Sequence, residues 1–310
     1  MLLAIGLTRE QARSSIRVSL GRSNDAAQVD ALVEALAEQN PGHAGLETLA
    51  RPGSFVVATG QQTGLFLGPA YTIYKALTAA RLARDLTARG LPTVPVFWMA
   101  TEDHDFAEVN HCYAYDAERR PVRIQASGVA DQRPVGRVPM GGDPVSDLRR
   151  VLDGLPFAGE VADVVASCYP PGCTLGEGFR ALAGRLLERF GVLLLDPLKP
   201  AMRRLAAPVL AEAASRHSEL IGRLVGRNRE LEARGYHAQV KVAPDGSLLF
   251  SLESGRRLPV RKGEFPARPE DLSPNALLRP VVQDFMMPTV AVVMGPAEVA
   301  YMAQAGVVYE

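Results

Sequence analysis

Thr101-Glu102-Asp103-His104-Asp105 places three carboxylates and an imidazole directly after the apolar run Val96-Phe97-Trp98-Met99-Ala100. Acidic groups so close to a buried strand have no packing role. Crowding of like charge predicts at least one raised carboxylate pKa and a His104 held nearer its charged form. Such a group suits acid–base work or polarisation of a bound substrate, with Glu102, His104 and Asp105 as the catalytic candidates. The bland alternative is that Glu102 or Asp103 caps a following helix while the others face water. A metal site is not expected: His111 lies seven residues beyond His104, but no spaced histidine pair accompanies it.

A second candidate is the loop Gly60-Gln61-Gln62-Thr63-Gly64-Leu65-Phe66-Leu67-Gly68-Pro69, with glycines at every fourth position. Glycine lets backbone N–H groups approach an anion, and a helix N-terminus adds partial positive charge. Gly60, Gln61, Gln62, Gly64 and Gly68 are therefore phosphate- or substrate-binding candidates, with Lys75 about two turns into the helix that follows. The loop is neither a Walker A sequence nor a GxGxxG fingerprint, so a plain tight turn remains the alternative. Gly295-Pro296-Ala297-Glu298 is a third strand-to-helix turn, and its Pro and Glu are also ordinary helix-start residues. Asn275 and Arg279 precede the last strand and belong to the same candidate cleft, Arg279 as a clamp for carboxylate or phosphate.

These loops need elements that bring them together. Phe55–Thr59, Val94–Met99, Gly191–Leu195 and Met287–Met294 read as short buried strands. The stretch 69–89 reads as a helix opened by Pro69 and closed by Gly90, with Ile73, Leu77 and Ala80 as its buried stripe. Two strands around one helix make a βαβ unit and a parallel sheet, whose carboxyl edge is where ligands bind. Residues 118–150 show no helical period and read as an inserted β-rich element. Residues 174–190 and most of 200–234 are helical. Gln239–Gly263 alternates apolar and polar residues through Asp245-Gly246 and Ser254-Gly255, as an antiparallel meander does. Near the N-terminus a capping-box-like Thr8–Gln11 and a strand-like Ser15–Leu20 precede a helix over 25–37, and Asn40-Pro-Gly-His43 sets them off as a separate piece.

Composition narrows the function class. The 310 residues are 47% hydrophobic and 22% charged, and 34 Lys+Arg balance 34 Asp+Glu. A net charge of zero argues against a nucleic-acid partner. There is no apolar run of membrane length and no signal peptide at the start, so the chain reads as cytoplasmic with no membrane partner. Cys112, Cys168 and Cys173 are too few for a disulfide framework and read as buried or incidental. Trp98 reads as core, and His43, His217 and His237 as ordinary polar residues.

The stretch Val57-Ala-Thr-Gly-Gln-Gln-Thr-Gly-Leu-Phe-Leu-Gly-Pro-Ala-Tyr71 with Lys75 resembles the opening motif of the bacillithiol-biosynthesis cysteine-adding enzyme family (BshC). Pro95–Asp105 with Glu108, Asn110 and His111, Ser273–Asp284, and Gly295–Tyr301 resemble further signatures of that family, in its order. The resemblance implies a Rossmann-like parallel core related to nucleotidyltransferases, and it adds Tyr71, Asn110 and His111 to the binding residues. It implies amide formation between L-cysteine and glucosaminyl malate, both small-molecule partners. How the cysteine carboxylate is activated stays open. An acyl phosphate or adenylate is the simplest chemistry, with ATP and Mg²⁺ as the implied cofactor, the Gly-rich loop holding phosphates and His104 or Asp105 acting as base. The rival readings are a nucleotidyltransferase-like enzyme acting on another small acid, and a residual fragment without activity.

Two departures from the family are expected. Residues 1–38, with Arg17, resemble the C-terminal tail of a cysteine desulfurase, which leaves 39–310 as the BshC-like unit with insertions at about 118–150 and 236–265. The family's C-terminal coiled coil is absent, so dimerisation through it is not available. The chain is then expected to stop inside the helix after Gly295, with Val299 and Met302 exposed.

Overall fold

The computed structural model describes residues 24–260 and 263–310. Helix α1 (Ala26–Ala37) begins at Asp25, whose carboxylate accepts the Gln28 N–H while the Gln28 side chain accepts the Asp25 N–H. After the short α2 (Gly45–Leu49), β1 (Phe55–Gln61), α3 (Tyr71–Ala88) and β2 (Thr93–Met99) form the expected βαβ unit. Next come α4 (Phe106–Val109), the hairpin β3 (His111–Tyr115) and β4 (Pro121–Gln125), then α5 (Pro144–Leu152), α6 (Ala158–Cys168) and α7 (Leu175–Leu187). The chain returns to the sheet at β5 (Leu193–Leu195) and continues through α8 (Pro200–Ser215) and α9 (His217–Ala233). A small antiparallel sheet, β6 (Leu249–Glu253), β7 (Arg256–Pro259) and β8 (Leu272–Pro274), precedes α10 (Arg279–Met286), β9 (Thr289–Val293) and α11 (Pro296–Ala305).

The main sheet is parallel with strand order β5-β2-β1-β9. Its strands are apolar throughout because both faces are covered, as parallel sheets require. Val94, Val96 and Trp98 point to one side, against α1 and α8–α11, while Phe97 and Met99 point to the other, against α7 and the hairpin. Helix α3 meets the sheet through Ala76, Ala79, Ala80 and Ala83, which let its backbone lie close, while the expected Ile73 and Leu77 are only half-buried. The chain runs from β1 to β2 on one side and places β9 on the other. Strand order therefore reverses between β1 and β9, and a crevice opens at their carboxyl ends.

Several local expectations are corrected. Residues 118–150 hold helix α5 as well as β4. Asp143 caps α5, Pro144 starts it, and Val145, Leu148, Val151 and Leu152 pack inward, a pattern hidden by the Arg- and Gly-rich flanks. The meander uses the Ser254-Gly255 turn but not Asp245-Gly246, since no strand forms over 239–248. Residues 26–40 are not a separate piece: Leu32, Ala35 and Leu36 enter the main core. Asn40 receives the Leu194 N–H and donates to the Leu194 carbonyl, both at 2.9 Å, and Gln39 receives the Asp196 N–H at 2.7 Å. The expectations at Thr8–Gln11, Ser15–Leu20 and Arg17 lie outside the described residues. Helix α11 ends at Ala305 and is followed by a 3₁₀ turn over Gly306–Val308. Met302 is buried in the main core and Val299 is half-buried, so the expected exposed apolar face is not there. Among the described residues no helix is long and apolar enough to cross a membrane.

Asn40 acts as a one-residue strand for the outer edge of β5. Asn40→Ala should lower unfolding free energy by about 1–3 kcal/mol, because two part-buried backbone groups lose their partners. Urea denaturation measures it, and an unchanged midpoint would refute the role.

Candidate functional site

A cleft of about 910 Å³ lies over the carboxyl ends of β1, β2 and β9, roofed by the β6–β8 sheet. Gly60, Gln61, Gln62, Tyr71 and Lys75 line it from the first loop, and Glu102 and His104 from the acidic loop. Asn275, Arg279, Gly295 and Glu298 line it from the C-terminal segment. Gly64, Gly68, Asp105, Asn110 and His111 do not.

At the switch point the Lys75 ammonium donates to the Gly60 carbonyl at 2.6 Å, to the Gln61 side chain at 3.2 Å and to the Glu298 carboxylate. Glu298 also accepts the Gly295 N–H at 2.7 Å, closing the first turn of α11. Burial pulls the Lys75 pKa below its ordinary value; Glu298 opposes this, and Arg279 adds to the lowering. Arg279 donates to the Tyr301 hydroxyl at 3.0 Å and to Gln283 at 3.2 Å.

The Gly-rich loop serves packing. A Cβ at Gly60 would stand 2.9 Å from the Trp98 carbonyl, and one at Gly64 only 2.1 Å from the Gly68 carbonyl. Phe66 and Leu67 take left-handed backbone angles, φ 53° and 61°, held by the Phe66 ring lying edge-on to Tyr169 at 5.0 Å. The N–H groups of Gly64, Leu67 and Gly68 bond to carbonyls inside the loop, and that of Phe66 bonds to the Tyr169 hydroxyl. At the start of α3, Thr72 and Ile73 donate to Pro69 and Ala70. Four of the loop's N–H groups are thus engaged within the protein, which removes them from the phosphate cradle expected of this loop.

The acidic loop divides into different roles. Glu102 is buried and accepts from Arg203 at 3.1 Å and from the Ser273 hydroxyl at 2.9 Å. Asp103 lines the cleft; its carboxylate accepts from the Gln62 amide at 2.9 Å, the His104 N–H at 2.7 Å and Arg257 at 3.3 Å. Burial would raise its pKa, yet those three donors together hold it below the ordinary value. His104 is likewise lowered, first by burial and then by Arg257, against the opposing Asp103 and Asp105. Asp103 and His104 thus both shift opposite to the sequence expectation: at Asp103 the Gln62 hydrogen bond and Arg257 outweigh burial, and at His104 burial comes first and Arg257 adds to it. Asp105 caps α4, accepting the Glu108 N–H at 3.2 Å. Asn110 is buried where α4 meets the hairpin, and its side-chain oxygen lies 3.2 Å from His111 Nδ1.

Sequence reasoning missed Arg257, Phe250 and Lys241 on the roof, and the cleft-lining Asp103 and Glu108. Arg257 is buried beneath its exposed-looking neighbour Arg256. The one available signal was that a crowded acidic loop needs buried cations from elsewhere. The three cysteines stay out of the cleft, and burial pushes the Cys112 thiol up to about 11, far from a reactive thiolate. Among the described residues no group of three or more His, Cys, Asp or Glu is placed to hold a metal ion.

A parallel sheet of this order, with polar groups converging at its switch point, defines a Rossmann-like domain. The family described as bacillithiol biosynthesis BshC, N-terminal Rossmann-like domain, matches residues 8–268 and 262–310, and the chain belongs to it. A relative from Solibacter usitatus is 48% identical over 90% of this chain and 56% of its own length. One from Koribacter versatilis is 38% identical over 96% and 59%, and one from Chlorobaculum tepidum 34% over 91% and 56%. All three bear the provisional name cysteine ligase BshC. The chain spans between half and two thirds of the length of these relatives, and the family match takes in residues 8–38 together with the core.

Removing Glu102 strands the buried Arg203 charge. Glu102→Ala should cost about 3–5 kcal/mol in chemical denaturation, and adding Arg203→Met should recover much of it; an equal loss in the double variant would refute the pairing. Asp103 stabilises the fold above its unfolded pKa of about 3.9, and the benefit disappears as pH falls through its lower folded value. The stability difference between wild type and Asp103→Asn should therefore be flat near neutrality and shrink in acid. A difference that grows on acidification would contradict the assigned direction.

Proposed function

We propose that the cleft binds the reactants of a cysteine ligase and joins L-cysteine to glucosaminyl malate through an amide bond, in bacillithiol synthesis. The observation that carries this reading is the pairing of unlike ends in one crevice. At one end the Gln62 amide bridges the Asp103 and Glu108 carboxylates at 2.9 and 2.8 Å, which leaves Glu108 Oε1 and the second lone pair of Asp103 Oδ2 to accept from an amine. On the rim Lys241 is exposed and has no ion-pair partner among the described residues, leaving a cation for a carboxylate. The cleft's other cations, Lys75, Arg257 and Arg279, already hold protein acceptors. The names of the relatives support the same chemistry.

In this reading Asp103 and Glu108 receive the glucosaminyl amine, and Lys241 receives a malyl carboxylate. Amide formation also needs the cysteine carboxylate activated, and no step is routed through the N–H groups of Gly64, Phe66, Leu67 and Gly68, which are engaged within the protein. Asp105, as a helix cap outside the cleft, is not the base.

Trp98 is the chain's single tryptophan and lines the cleft, so its emission reports on occupancy. Glucosaminyl malate should change that emission saturably, and Lys241→Ala should weaken its binding about 10- to 100-fold, the worth of one charge-assisted hydrogen bond. No saturable response to either L-cysteine or glucosaminyl malate would sink the reading.

A further inference from the structure

We propose that Arg257 makes His104 a hydrogen-bond donor: the guanidinium takes Nδ1, and the ring is left to present Nε2–H to an acceptor oxygen of a ligand in the cleft. The geometry stands on the cleft alone. That the oxygen belongs to the cysteinyl carbonyl, gaining negative charge as the amine attacks, rests on the ligase reading above.

Arg257 Nη1 lies 2.9 Å from His104 Nδ1. A guanidinium has only donors, so the contact is a hydrogen bond only if Nδ1 carries its lone pair. A proton on Nδ1 would set N–H against N–H. The guanidinium has little freedom to turn away. Its Nε donates to Ser273 Oγ at 3.1 Å, its Nη2 to the Pro274 carbonyl at 2.8 Å and its Nη1 also to Asp103 at 3.3 Å. The plane lies 3.8 Å from the centre of the Phe250 ring, which His104 also contacts at 5.4 Å.

The remaining nitrogen, Nε2, makes no hydrogen bond to any described residue, and His104 lines the cleft. Held this way the ring has no lone pair on its cleft side, so it is no base there. The charged groups facing it are Asp103 and Asp105 from its own loop and Arg257 from β7, with the Glu102–Arg203 pair behind. Burial and Arg257 prevail over the two aspartates, which shifts the ring towards its neutral form. A neutral donor fixed beforehand in a partly dry cleft stabilises developing negative charge without reorganising.

The experiment is ¹⁵N NMR of the full chain labelled at histidine. The chain has five histidines, and His104→Gln identifies the signal. At pH 6, where a free imidazole is mostly charged given a pKa of about 6.5, His104 should carry less charge than a free ring, with the proton of its neutral form on Nε2. Arg257→Gln should return its titration towards the ordinary value and mix the tautomers. A wild-type ring that carries its proton on Nδ1, or that titrates as a free histidine, would overturn the proposal, and the tautomer itself is read on the wild-type chain. L-cysteine or glucosaminyl malate should then shift the Nε2–H signal. A ring in the assigned tautomer that ignores both would overturn its role as a ligand donor. Because the tautomer is read without substrate, failure of the ligase reading alone would leave that part intact.

Discussion

The Lys75 ammonium is the contact through which the two halves of the sheet edge meet. It reaches from α3 to the end of β1, and on to Glu298 at the start of α11. A crevice between strands whose chains leave in different directions has nothing of its own to set its width. Here a buried cation does so, bonding a carbonyl on one side and a carboxylate on the other. Glu298 passes the constraint into the backbone of the next turn through the Gly295 N–H. Burial costs the ammonium part of its basicity, and the carboxylate offsets that cost. The small face of α3 serves the same end, since alanines bring Lys75 within reach of the strand.

The opposite wall follows a related rule. Glu102, Asp103 and His104 leave β2 together, yet they are oriented by Arg203 from α8 and by Arg257 and Ser273 from the small sheet. Most of the charge at the cleft is therefore engaged in holding the cleft. Among the polar atoms of the cleft that make no hydrogen bond or ion pair to a described residue are the Lys241 ammonium, Glu108 Oε1 and Nε2 of His104. Such a division between fixed and available groups is what preorganisation means in structural terms.

The parallel sheet and the edge that bears the site were legible because apolar runs of strand length, Gly and Pro punctuation and polar loops all agreed. Eleven of the candidate residues meet in one cleft for that reason. Roles within it were not legible. Gly64 and Gly68 look like an anion loop in sequence, but in the structure the loop folds on itself, with the Gly68 carbonyl against Gly64. His104 looks charged beside its acidic neighbours, whereas its partner is 153 positions away. Helix α5 hid among Arg and Gly because nine residues make a weak periodic signal. Local pattern reports which face is buried; it does not report which distant charge arrives there.

The pairing of β1 with β9 joins residues more than 230 positions apart, as Thr59 and Val293 illustrate. Loop closure over such a separation is slow compared with the local βαβ pairing. During synthesis the ribosome must make residues 76–298 before Glu298 can meet Lys75. Until then the β1 edge stays open and the lysine lacks its carboxylate. The crevice is therefore a late product of folding, because a nascent chain that lacks β9 and the first turn of α11 has only one of its two walls.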